Sequence, residues 1–363
     1  MNILYLTDDH LDYVSDPLYI GLSRLLGNAS VVDYPYKASF HEPERKPWCL
    51  VQRPGRRHTR EEILDLLRDR HFDMVCLASF RPESLEECAV LYQHVPFPPM
   101  VFVDGSDDTD IRHDLVARYP IQVYFKRDYV WKMGGTLRDR YDLLRTFHGN
   151  RQLFERTVPL PLSIVLDALP DVSGVAKEID VSYTGRASHP RRAAAVEVLS
   201  SMENVRFSGG LYASPDDRKY KLKAGTVRRL WTKCVDGGPA SERDQERKQL
   251  PEAYYQEIAA SKIALALRGG GRTASLRYFE IVAMGTMLLS DAPETVIPDD
   301  FVDRRHAVYC RGNLSNLTSL VRYYLEHDRE REAIAAEGKA HLLKHHTCER
   351  RAEYFLNICA RSL

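Results

Sequence analysis

The chain has 363 residues, 44% hydrophobic and 28% charged, the balance of a globular protein with room for two cores. Lys plus Arg and Asp plus Glu each total 51, so the formal net charge is zero. No global field draws the protein onto nucleic acid or an acidic membrane, and any anion must be held by a local cluster. The opening MNILYLTDDH reads as a first strand rather than a signal peptide, and no window approaches the ~18 apolar residues of a membrane span. Seven scattered cysteines without a CxxC pair imply reduced thiols and a cytoplasmic setting.

In chain order, short apolar runs at 3–6, 31–34, 74–78, 100–103 and 122–125 read as strands. Amphipathic segments at 17–26, 60–70, 83–94 and 111–118 read as the helices between them. This alternation predicts a parallel sheet covered on both faces, with ligands at the carboxyl ends of its strands. TDDH (7–10), SFRPES (79–84) and DGSDDTD (104–110) all follow strands and should share one edge. The proline-rich stretch 158–174 reads as the crossing between two domains, 1–160 and 175–345. A second alternation follows: strands at 180–185, 205–210, 263–267, 286–291 and 307–310, with helices at 189–202, 314–326, 329–344 and 348–361. The segment 217–251 is polar and basic in its first half, which suits either a solvated insertion or a platform for an anionic partner.

The informative stretch is LALRGGGRTASLRYFEIVAMG, 265–285. After a buried strand come Arg268, the glycines Gly269, Gly270 and Gly271, and then Arg272. Thr273 or Ser275 can cap the next helix, whose apolar stripe runs through Tyr278, Ile281, Val282 and Gly285. Consecutive glycines let main-chain amides approach a ligand closely, and a helix start favours phosphate. Arg268, Arg272 and Arg277 can add bidentate contacts, while Glu280, one turn deeper, suits a pair of hydroxyls. Phosphates beside a diol are the chemistry of a nucleotide. Gly-rich turns also occur without ligands, and Arg277 and Glu280 could simply pair with each other. No Walker A pattern and no GxGxxG is present, which argues against P-loop ATPases and simple dehydrogenases.

YYQEIAASKIALALRGGGRTASLRYFEIVAMGTMLLSD resembles the donor-site region of GT-B glycosyltransferases, closest to exostosin-like and spore-maturation-type group 1 enzymes. IDVSYTGRASHPRR (179–192) resembles the opening of the same domain. The resemblance implies an α/β fold of two Rossmann-like domains facing a cleft, with a terminal helix, 346–363, packing back on the first domain. It implies a UDP- or GDP-sugar as donor substrate and no required cofactor. Glu280 would hold the ribose; Arg268, Arg277 and the amides of Gly269 to Gly271 would hold the diphosphate, with Gly185 and Arg186 on its other side. The loop at 206–212 would receive the base. Where many retaining members carry a second carboxylate, this chain has Arg272, so the anomeric outcome stays open.

Enzymes of this fold neutralise the leaving diphosphate with Arg, Lys and helix N-termini, so no metal is expected. An inverting enzyme needs a general base in the first domain, for which His10, Asp104 and Asp9 stand ahead of Asp8 and Asp107. DGSDDTD lacks metal-loop spacing, and HLLKHHTC reads as a solvated helix end rather than a zinc site. The implied partners are the nucleotide sugar and a hydroxyl-bearing acceptor: a surface glycan, glycoprotein or small metabolite. Nucleic acid is not expected, and peripheral membrane contact is compatible with the chain. The competing readings are a nucleotide-sugar epimerase or phosphorylase of the same fold, and an inactive GT-B module that binds glycan or protein.

Overall fold

The computed structural model describes residues 1–42, 55–131, 137–212, 251–269 and 272–363. The basic segment 217–250 and the glycines Gly270 and Gly271 lie outside the described residues. The chain divides into two compact units. Unit 1 comprises Met1–Ala168, Thr295–Pro298 and His345–Leu363, and unit 2 comprises Leu169–Glu294 and Asp299–Lys344.

Unit 1 is built on six parallel strands: β1 (Ile3–Leu6), β2 (Val31–Tyr34), β3 (Met74–Leu77), β4 (Met100–Asp104), β5 (Ile121–Lys126) and β6 (Thr157–Pro159). Their order is β2-β1-β3-β4-β5-β6. Every residue of β1, β3 and β4 is buried, as expected of strands covered on both faces. The helices of this unit are α1 (Ser15–Leu26), α2 (Ala38–His41), α3 (Arg60–Arg68), α4 (Pro82–His94), α5 (His113–Arg118), α6 (Leu137–Thr146) and α7 (Arg151–Glu155). Local chemistry starts several of them. Thr59 and Glu62 form a reciprocal capping box on α3, and Pro82 occupies the first turn of α4.

Unit 2 repeats the plan with β7 (Ile179–Arg186), α8 (Pro190–Ser200), β8 (Phe207–Tyr212), α9 (Pro251–Ala259), β9 (Ser261–Ala266), α10 (Leu276–Ala283), β10 (Met287–Asp291), β11 (Val308–Cys310), α11 (Leu317–Glu326) and α12 (Asp328–His345). Its parallel sheet runs β11-β10-β9-β7-β8. Counted from the first strand of each unit, both sheets share the order second, first, third, fourth, fifth. The two units are therefore Rossmann-like modules of one topology. The last helix, α13 (Cys348–Ser362), belongs to unit 1, where Phe355 packs on Phe125 with ring centroids 4.6 Å apart.

Three expectations change. The stretch 158–174 is not wholly a connector: β6 pairs with β5 as an edge strand, where Pro159 removes no ladder bond that the sheet needs, and unit 1 runs to Ala168. The segment read as a strand and turn at 205–210 continues as β8 through Tyr212, because Gly209 (φ 121°) lies against β7, where a Cβ would sit 2.1 Å from the Tyr183 carbonyl oxygen. The histidine-rich end of α12 is not solvated throughout, since His346 is fully buried beside Cys348.

Gly21 is the contact point of α1 with α13. A Cβ there would lie 2.2 Å from the Cys348 carbonyl oxygen. Gly21→Ala is expected to cost about 1–3 kcal/mol, seen as a lower urea midpoint. An unchanged midpoint would show that the two helices do not approach this closely.

Candidate functional site

In unit 2 the strand order reverses between β7 and β9, the place where an open parallel sheet forms a crevice at its carboxyl ends. Arg192 of α8 sits there, 5% exposed. Its guanidinium donates to the carbonyls of Arg186 (3.0 Å), Leu267 (2.8 Å) and Arg268 (3.2 Å), tying the end of β7 to the end of β9. Burial lowers its pKa, yet an arginine remains charged at neutral pH, and these three partners are dipoles rather than counter-ions. Gly269 is small because of this group: a Cβ would lie 3.2 Å from Arg192 Nη2 and 3.3 Å from Ser188 Oγ. Helix α8 begins with Pro190 behind His189, whose Nδ1 accepts the Arg191 amide at 3.2 Å. Burial, with the charges of Arg191, Arg192 and Arg268, lowers the His189 pKa and so leaves that nitrogen able to accept.

A second arginine set converges on Asp291, the buried last residue of β10. Its carboxylate accepts from Arg191 Nη1 (2.5 Å), Arg268 Nε (2.8 Å) and the Arg268 amide (3.1 Å). Arg268 also pairs with Glu294, and Arg272 lies 4.0 Å from the same carboxylate. Two of the arginines expected to grip a diphosphate are thus engaged by acids. The sequence reading missed Asp291, Glu294, Arg191 and Arg192; the signals available were HPRR at the start of α8 and SDAPE at the end of β10.

Arg277 differs. Its Nε is buried without a hydrogen-bond partner, its guanidinium carbon lies 5.7 Å from the Tyr254 ring centroid, and it lines a narrow cavity with Tyr183, whose hydroxyl is also buried and unpartnered. Buried donors without acceptors are uncommon in folded proteins. Gly185 borders this point, since a Cβ there would be 3.0 Å from the Tyr183 hydroxyl, and half-buried Arg186 closes β7. Glu280 is 3% exposed and does not pair with Arg277; it accepts the hydroxyls of Tyr254 (2.7 Å) and Tyr255 (3.0 Å). Burial raises its pKa against the opposing pull of these bonds and of the Arg277 charge. Ser275 takes the N-cap position of α10 as expected, but its hydroxyl makes no cap bond and is buried without a partner. Thr273 is buried two residues earlier.

Unit 1 carries its own constellation at the matching reversal, between β1 and β3. Asp8, after β1, accepts the Ser79 hydroxyl, and its Oδ1 meets the His10 amide (2.8 Å), His10 Nδ1 (3.0 Å) and Arg81 Nη1 (3.4 Å). The TDDH and SFRPES loops therefore do meet. The His10 side chain is 59% exposed, so its other ring nitrogen is offered outward from an oriented ring. Asp9 is exposed beside it. Asp104 is fully enclosed by Tyr124 Oη (2.5 Å), Ser106 Oγ (2.5 Å) and Lys126 Nζ (2.8 Å). Lys126 reaches Asp108 as well, at 3.2 Å, so an ammonium stands where a cation in DGSDDTD would. Among the described residues no group of three or more His, Cys, Asp or Glu side chains is placed to hold a metal ion, and no helix is long and apolar enough to cross a membrane.

Burial alone would raise the Asp8 carboxyl, but the Ser79 and His10 bonds and the Arg81 and Lys37 charges hold it below the usual aspartate value. A carboxyl depressed in the folded state stabilises above its unfolded pKa, about 3.9, and loses that contribution as pH falls through the lower folded value. The acid-side loss of stability below about pH 4 should therefore be shallower in Asp8→Asn than in wild type. Superimposable acid-unfolding curves would contradict the arrangement around Asp8.

Residues 219–357 match a family model described as glycosyl transferase-like. No curated protein matches the chain. Among solved structures, Anabaena Alr3699/HepE in complex with UDP is similar over 99% of this chain and 100% of its own, with 12% identity and a TM-score of 0.61. A glycosyltransferase from Rickettsia africae is 9% identical with a TM-score of 0.62, over 99% of this chain and 98% of its own. AviGT4, a glycosyltransferase involved in avilamycin A biosynthesis, is 14% identical with a TM-score of 0.55, over 100% of this chain and 98% of its own. At such identities the likeness is one of fold. This chain has the GT-B fold, and its residues 219–357 match the glycosyl transferase-like family model.

Proposed function

We propose that the protein transfers a sugar from a UDP- or GDP-sugar to a hydroxyl acceptor, without a divalent ion. The observation that supports this is the cationic edge of unit 2: among the described residues Arg192 bonds to three carbonyls at the strand reversal, and Arg277 has a buried donor without a partner nearby. Such an edge favours an anion. Similarly folded Anabaena Alr3699/HepE has been crystallised with UDP and with UDP-glucose, which supports a nucleoside diphosphate as that anion.

The diphosphate is assigned to Arg277, the Gly269 amide and the start of α10 at Ser275. Charge building on the departing phosphate is met by fixed guanidinium and amide donors, which is what lowers the barrier to breaking the glycosidic bond. Arg268 and Arg272 contribute once a phosphate competes successfully with Glu294. Glu280 holds the ribose: each of its oxygens accepts one tyrosine hydroxyl and retains acceptor capacity for a ribose hydroxyl.

Unit 1 supplies the base. His10, oriented through Nδ1 by Asp8, takes the acceptor proton at its outward nitrogen as the hydroxyl attacks the sugar carbon. Asp104, enclosed and triply bonded, is not given this role. A protein base implies inversion at the anomeric carbon.

Incubation with UDP- and GDP-sugars in EDTA should release free sugar slowly by hydrolysis, and the first-formed anomer, read by proton NMR, should be inverted. His10→Ala should reduce turnover by about 100-fold or more, in the range typical of a lost general base, while leaving nucleotide binding intact. A retained anomer would remove the base from His10, and no turnover of any donor would count against the enzyme.

A further inference from the structure

At the amino-terminal edge of the unit 2 sheet, the edge opposite the arginines described above, two lysine ammonium groups converge on Gly285. Lys177 stands just before β7, and Gly285 and Thr286 just before β10. Lys177 Nζ donates to the Thr286 hydroxyl oxygen at 2.7 Å and lies 3.5 Å from the Gly285 carbonyl oxygen. Thr286 is buried and donates its own proton to the Ile258 carbonyl at 2.7 Å, so its oxygen is left to accept. Lys339 arrives from α12: a Cβ at Gly285 would lie 3.9 Å from its Nζ. Gly338 sets this approach, since a Cβ there would lie 2.4 Å from the His306 carbonyl oxygen and 3.4 Å from Val282 of α10.

The charges around Lys177 are of one sign. Both of its partners are neutral oxygens, and the α12 cations Arg331 and Lys339 act on it. The acids of α12 are engaged elsewhere: Asp328 pairs with Arg331, Glu332 lies 3.6 Å from Arg331, and Glu337 pairs with Arg305 at 3.0 Å. Burial of the amine, and then the charges of Arg331 and Lys339, bring the Lys177 pKa down to about 8. At pH 8 about half of the molecules then carry the free amine, against about 0.4% for an ordinary lysine. The free amine keeps its N–H bond to Thr286 and turns its lone pair to a reagent, and Lys177 is exposed enough to be reached. The same field selects the electrophile. Acylation would leave a neutral amide, which gains little from two neighbouring cations, whereas addition of carbon dioxide leaves an anion.

We propose that Lys177 is a carbamylation site, taking up dissolved carbon dioxide as a carbamate held by the charges of Lys339 and Arg331. The amine lone pair attacks the carbon of CO2, one C–O bonding pair moves onto oxygen, and the proton leaving nitrogen passes to water. Nothing is oxidised or reduced. The product turns like-charge repulsion into an ion pair and ties the approach to β7 to α12. This site is independent of the glycosyl-transfer reading.

The test equilibrates the full chain with carbon-13 bicarbonate at pH 8, traps carbamates by ethylation with triethyloxonium, and locates them by peptide mass spectrometry. The Met1 α-amine is the internal reference. Label should appear on Lys177 at an occupancy at least ten-fold above that of any other lysine, and in Lys177→Arg no lysine should take its place. Lys339→Met should lower the Lys177 occupancy about three-fold or more, because it removes the cation that favours both the free amine and the carbamate. Lys339 is exposed, so this change tests the charge without emptying a core position. Label on Met1 alone, comparable label on several lysines, or an unchanged Lys177 occupancy in Lys339→Met would overturn the proposal.

Discussion

The structure of unit 2 depends on one arginine placed where two strands part. At the β7–β9 reversal Arg192 donates to the main-chain carbonyls of Arg186, Leu267 and Arg268 from one planar group. A guanidinium is suited to this because its donors lie in a fixed fork. The cost is a buried positive charge met, among the described residues, by dipoles. That charge, together with Arg277, makes this strand edge attractive to anions even though the protein as a whole carries no net charge. The carboxylates Asp291 and Glu294 keep Arg191 and Arg268 folded against the sheet, so the local field is balanced in part rather than open to any anion.

Unit 1 uses the same topology to a different end. Its reversal point holds an acid and an imidazole instead of guanidinium groups. The loop bearing His10 is fixed from below by Lys37, which is buried, donates to the His10 carbonyl and pairs with Asp16 at 2.8 Å. Buried ion pairs rarely add much stability over apolar packing of the same volume, because both charges lose their water. Burial, with the nearby Asp12 charge, pushes Asp16 up to about 7 despite its partner. The worth of the pair is geometric: it sets where the β1–α1 loop stands. Lys126 with Asp104 does the same at the end of β4. The two units thus share one topology but carry different side-chain chemistry at their strand reversals.

The strands were legible because sheets covered on both faces are written as unbroken apolar runs; ILYL, MVCL and MVFVD name themselves. The composition of the glycine–arginine loop before α10 suggested an anion site, the role proposed for it above. What the sequence could not convey is pairing across distance. Arg268 finds Asp291 at the end of the next strand and Glu294 just after it, Arg192 finds carbonyls 75 and 76 residues away, and Asp8 finds Ser79 only because β1 and β3 are neighbours. Asp104 was a candidate base at a strand end and is enclosed, since Tyr124 and Lys126 come from β5 alongside. Edge strand β6 was hidden by its prolines, and α6 by an apolar face, Leu137, Tyr141 and Leu144, that turns outward.

The central claim is that the β7–β9 edge of unit 2 grips a nucleoside diphosphate through guanidinium groups. Calorimetric titration of UDP and GDP into wild type and Arg277→Met, a change that keeps most of the side-chain stem and removes the charge, tests it most directly. The account predicts that one nucleotide binds wild type and that its affinity falls at least ten-fold in the variant. Equal affinity in both proteins, or no heat from either nucleotide, would contradict it.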